Sequence, residues 1–171
     1  MSLSIKNRQN LSRYEIGRLG EYSFYKHLDY MFINKKIKYF KWLNKTKESN
    51  KPYDFIVIHN NNHKKYLEVK TTKKNFENSI FFTHNELEFL YNSYHDYEII
   101  RIYNKDHRLF MRHSINLDQI VKSKDIKNIY LNKMNQELNK FGLKTTNKIK
   151  VDLNLRINKE FFSPPIELKV N

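Results

Sequence analysis

The sequence predicts an α/β (α+β) fold built on one central sheet. Residues 11–32 carry apolar side chains at helical period, residues 36–72 carry alternating apolar runs parted by polar turns, and a second helical stretch is followed by further strands. A length of 171 residues suits one domain with room for a core.

Ser12 opens the first helix as an N-cap, and Glu15 three residues on completes a capping box. Ile16, Leu19, Phe24, Leu28 and Met31 form its apolar stripe. Gly17 and Gly20 each cost about 1 kcal/mol in a helix interior, so they point to close packing or a close ligand. "KIKYFKWLN" (36–44) alternates as a strand, with Tyr39 and Lys41 on one side and Phe40 and Trp42 on the other. After a polar loop, "YDFIVIHN" and "KKYLEVKTT" form an antiparallel hairpin closed over residues 60–63. "SIFFTHNELEFLYNSY" passes from strand to helix. Thr83 is the N-cap, Glu86 closes a second capping box, and Leu87, Leu90, Tyr91 and Tyr94 face inward. "YEIIRIYN" (97–104) and "HRLFMRH" (107–113) pair as strands around "KD". Beyond them, residues 114–142 read as one or two helices ending at Gly142, and residues 148–158 as a strand. The expected division is a core over residues 1–113 and an extension over residues 114–171 packed on the same domain.

The formal net charge is +14 and the pI about 9.7, which points to a polyanionic partner, nucleic acid first. Residues 1–52 hold 12 Lys and Arg against 4 acids, whereas residues 53–113 hold 9 against 8. The acids gather where the chemistry is expected. Cysteine is absent, which excludes disulfides and thiolate metal sites. No apolar run approaches the roughly 18 residues of a membrane span, and the N-terminus lacks a signal peptide's apolar core, so a cytoplasmic protein away from membranes is expected. There is no P-loop, and no His pair at metal-ligand spacing on a helix. Most aromatic residues sit at core periodicity and predict no base-stacking platform.

"YDFIVIHNNNHKKYLEVKTT" (53–72) holds the candidate site. Tyr66, Glu68 and Lys70 share one face of their strand, and closing the hairpin sets residue 54 or 55 opposite Glu68. Asp54 and Glu68 then lie within reach of one ion. Two carboxylates so close raise each other's pKa, and Mg²⁺, which takes one or two carboxylates plus water and phosphate oxygens, relieves the repulsion. The Lys70 ammonium beside such an ion would orient water or steady charge on a phosphorus centre. The plainer reading is a same-face surface pair of Glu68 and Lys70, worth a few tenths of a kcal/mol, with Asp54 merely starting its strand. Glu21 lies at the edge of the first helix's stripe, as a rim ion pair or as an acid aimed into the site.

The run "GRLGEY", "ES" before "PYDF", "EVKTT" and "THNELEFL" resembles the PD-(D/E)XK nuclease superfamily, and more closely the NO VEIN C-terminal-like domain found fused to or beside restriction and phage-defence ATPases and helicases. The likeness covers residues 11–113. It implies a restriction-endonuclease-like αβββαβ core with a central mixed sheet. It implies Asp54, Glu68 and the Val69 carbonyl as metal ligands, Glu21 joining them directly or through water, and Lys70 as the catalytic lysine. The expected activity is that of an endodeoxyribonuclease with Mg²⁺, for which Mn²⁺ can substitute, in restriction or phage defence. Arg18, Lys73 and Lys74 would hold the DNA backbone, and an ATPase or helicase would be the partner. Two rival readings are a catalytically silent DNA-binding or docking module and a junction-resolving nuclease, which usually works as a homodimer.

Overall fold

The structure, a computed structural model, describes residues 11–73, 75–77, 79–93, 96–115, 117–123, 125–142 and 150–168. Its elements run α1 (Arg13–Ile33), β1 (Tyr39–Trp42), β2 (Phe55–Ile58), β3 (Lys64–Thr71), β4 (Ser79–Phe82), α2 (His84–Ser93), β5 (Tyr97–Lys105), β6 (Arg108–His113), α3 (Leu117–Ser123), α4 (Ile126–Phe141), β7 (Leu153–Arg156) and β8 (Ile166–Glu167). The α/β class expected from the sequence is the observed one.

Six strands form a mixed sheet in the order β1-β2-β3-β5-β6-β8. Only β3 and β5 run parallel, so the chain leaves the sheet after β3 and returns through β4 and α2. The hairpin register pairs Phe55 with Leu67 and Ile58 with Lys64, and just before it the Asp54 N–H donates to Leu67 O, so Asp54 stands beside Leu67 and not directly opposite Glu68 as expected. β4 departs from the expectation of a single sheet. It pairs with β7 in a separate two-stranded sheet, because Ile80 and Phe82 turn into a core that Leu153 and Leu155 complete. The turn between β5 and β6 lies one residue later than expected. Asp106 and His107 both take positive φ, as a two-residue turn with matched twist requires.

α1 covers one face of the large sheet. Its capping box is formed: the Ser12 N–H donates to Glu15 Oε2 at 2.7 Å and the Glu15 N–H to Ser12 Oγ at 3.2 Å. Phe24 and Leu28 pack on Phe55, Val57, Leu67 and Val69. Gly20 lets the helix settle on β3, since a Cβ there would overlap Thr71 Oγ1, whereas a Cβ at Gly17 meets nothing. The opposite face is covered by α2, α3, α4 and the small sheet, through Leu87, Leu90, Ile120, Ile126 and Tyr130. β3 is therefore buried from both sides, and its Leu67, Glu68 and Val69 are all nearly inaccessible. Among the described residues two α-helices follow residue 113, the second closed by Gly142 at φ +62°. Tyr94 and the first part of the 148–158 strand lie outside the described residues. Among the described residues no helix is long and apolar enough to cross a membrane.

Candidate active site

β3 meets β5 through its even-numbered residues, with the Tyr66 N–H donating to Asp96 O and the Thr72 N–H to Ile102 O. Its odd-numbered residues therefore turn their peptide groups toward β2. Leu67 O accepts from the Asp54 N–H at 2.9 Å, and the Val69 N–H donates to Asp54 Oδ2 at 2.8 Å. The Val69 carbonyl faces the same way, just past the start of β2. Asn44 holds the other oxygen, its Nδ2 donating to Asp54 Oδ1 at 2.7 Å, while its own Oδ1 accepts from the Ser49 N–H. Asp54 is thus fixed by one backbone and one side-chain donor at the mouth of the hairpin.

Glu68 and Lys70 share the other face of β3, as the strand's period demands. Lys70 Nζ lies 2.9 Å from Glu68 Oε1 and 2.7 Å from Glu86 Oε2. Glu86 also accepts from the Thr83 N–H at 3.1 Å, so one carboxylate caps α2 and clasps the lysine. Sequence reasoning placed Glu86 only in the cap. Its second role needs the crossover that lays the start of α2 against β3. Glu21, on α1, accepts from Arg18 Nη1 and Trp42 Nε1, each at 2.9 Å.

Burial dominates the electrostatics. It pushes the Asp54 carboxyl up to about 7, with Glu21 adding repulsion and the Val69 N–H and Lys70 offsetting part. Burial also drives Glu68 well above the usual carboxylate range, against the pull of Lys70. Glu21 is raised by burial, less the donors from Trp42 and Arg18. For Lys70 burial disfavours the ammonium, but Glu68 and Glu86 outweigh it and hold its pKa above the ordinary value. Glu68 and Glu86 thus favour the charged lysine, while burial favours the protonated form of Asp54, Glu68 and Glu21 until a cation offsets it. The surface-pair reading does not fit this environment, because Glu68 is only 6% exposed.

The structure brings Asp54, Glu68, Lys70 and the Val69 peptide to one edge of the hairpin. It does not gather Glu21 with them as a third open ligand. Among the described residues no three His, Asp or Glu side chains converge as a metal cage. One oxygen of Glu21 is held by Arg18 and Trp42, and Glu68 is drawn to Lys70. The donor set still fits Mg²⁺, which needs no more than one or two carboxylates and keeps several waters. Arg18, expected on DNA, is also engaged inward, on Glu21 and on Lys45 O. Lys73 is exposed on the bend after β3. Lys74 lies outside the described residues.

The family described as Protein NO VEIN, C-terminal matches residues 20–112. That span takes in Glu21, Asp54, Glu68, Lys70 and Glu86 and stops one residue before β6 ends. No curated protein and no solved structure matches the chain. With more than half of its residues matched, the chain belongs to the Protein NO VEIN, C-terminal family.

Proposed function

We propose that the chain is a Mg²⁺-dependent endodeoxyribonuclease of the PD-(D/E)XK kind, acting in restriction or phage defence, with Mn²⁺ able to replace Mg²⁺. The observation that carries this reading is Lys70 Nζ held 2.9 Å from Glu68 Oε1 on a buried strand whose neighbour offers Asp54. Asp54, Glu68 and the Val69 carbonyl are the groups that would hold the metal. A divalent ion there supplies a Lewis acid for the phosphate oxygens and a lowered pKa for bound water. Lys70 would place its ammonium where negative charge develops on the scissile phosphate. Glu86 keeps that ammonium charged and aimed. Asn44 and the Val69 N–H keep Asp54 from turning away.

The expected result is DNA cleavage that requires Mg²⁺ or Mn²⁺, stops in EDTA, and disappears in Asp54→Ala and Glu68→Gln. Cleavage that persists in Glu68→Gln sinks the assignment. A second reading is a silent DNA-binding or docking module for a partner ATPase or helicase. The burial of Asp54, Glu68 and Glu86 favours it, since a phosphate must reach them. DNA binding with no cleavage under any metal would select that reading.

A further inference from the structure

α1 presents Tyr14, Arg18 and Tyr22 on one stripe, four residues and about 6 Å apart. Tyr14 is 71% exposed and Tyr22 42%, so these rings are not core residues. Beside the stripe, Trp42 is sandwiched. Its ring stacks on Phe55 at 5.7 Å, and Arg18 Cζ stands 4.7 Å above it. Lys45 Nζ lies 4.8 Å from the Tyr25 ring. Tyr14, Arg18, Tyr22, Trp42 and Lys45 line an open groove of about 510 Å³. The acid that lines it, Glu15, is committed to the Ser12 cap. The groove adjoins Glu21, to which Arg18 and Trp42 both donate and whose charge is felt at Asp54.

We propose that this groove is a base-stacking subsite for unpaired nucleotides of DNA, next to the candidate active site. The exposed Tyr14 and Tyr22 rings provide flat faces for bases, and the exposed Lys45 provides charge for phosphates, Arg18 being held on Glu21. A paired base keeps its faces inside the duplex stack, so only an unpaired one gains from Tyr14 and Tyr22. The favoured substrate is then single-stranded or locally unpaired DNA. The proposal takes the identity of the ligand as DNA from the nuclease reading, but binding here needs no cleavage.

Trp42 is the chain's single tryptophan, so its emission reports on the groove. In EDTA, a short oligothymidine is expected to quench that emission and to bind more tightly than an abasic strand of equal length and charge. Tyr14→Ala and Tyr22→Ala each weaken oligothymidine binding about 5- to 150-fold, whereas Tyr22→Phe retains it. Absence of quenching, equal affinity for the abasic strand, or wild-type affinity in both alanine variants overturns the proposal. Stacking without metal-dependent cleavage of any DNA would leave the subsite standing and remove the nuclease.

Discussion

Asp54 keeps its proton up to about pH 7 in the folded protein, because burial and Glu21 both oppose its charge. In the unfolded chain it ionises near pH 4. Between those values the folded state binds the extra proton, so Asp54's contribution to stability in EDTA falls as pH rises and levels off above about 7. The loss is on the order of 4 kcal/mol. Asp54→Asn is expected to flatten much of this slope and to melt no lower than wild type at pH 8. Mg²⁺ needs the ionised carboxylate, so its stabilisation should be larger at pH 8 than at pH 6, reaching about 2.7 kcal/mol at a hundred times Kd. Melting curves at matched ionic strength test both points. Equal Mg²⁺ shifts in wild type and Asp54→Asn would mean that Asp54 is not a ligand. Lys70→Ala is a poorer probe, since it strips Glu68 and Glu86 of their buried counter-charge and costs about 3–5 kcal/mol in stability.

At the scale of elements, the contact of α1 with β3 decides where Glu21 stands relative to the hairpin. That contact depends on Gly20, where an added Cβ would overlap Thr71 Oγ1 and lie 2.9 Å from Thr71 Cβ. Alanine gains about 1 kcal/mol of helix propensity at either glycine. At Gly17 nothing opposes that gain, so Gly17→Ala should stabilise by about 0.5–1 kcal/mol. At Gly20 the overlap must be relieved by moving helix from strand, and Gly20→Ala should destabilise by about 1–3 kcal/mol. Urea unfolding of the two variants measures the difference. Equal stabilisation would disprove the close contact. The same substitution should lower any metal-dependent activity, because it lifts Glu21 away from the hairpin edge.

The whole molecule depends on residues beyond the family match. α3, α4 and β7 supply Leu117, Ile120, Ile126, Tyr130 and Leu155 to the core that covers β5 and α2. β8 extends the large sheet at β6. Ending the chain at residue 113 would bare β4 and one face of α2. The expected outcome is a truncated protein without a cooperative melting transition and with lost near-ultraviolet dichroism. Native-like melting of residues 1–113 would show that the matched region folds alone.

Sequence by itself determined the local features whose causes lie within a few residues. The Ser12–Glu15 box, the hairpin around Asn60–His63 and the shared face of Glu68 and Lys70 follow from capping chemistry, turn chemistry and the period of a strand. Closing the hairpin brought Asp54 within reach of Glu68 and helical angle set Glu21 at the stripe's edge, while the resemblance carried by "GRLGEY", "PYDF" and "EVKTT" implied their roles as ligands. Tertiary structure decided what depends on distant residues meeting. Glu86 turns from a helix cap into a partner of Lys70 because the β3–α2–β5 crossover returns it to the strand. β4 leaves the main sheet because β7, whose residues lie 71 to 77 positions further on, completes its pairing. Tyr14 and Tyr22 belong to an open groove because Trp42 and Lys45 stand beside their helix. Periodicity states which residues share a face. It does not state what that face meets, and burial, pKa and the partners of a charge all depend on what it meets.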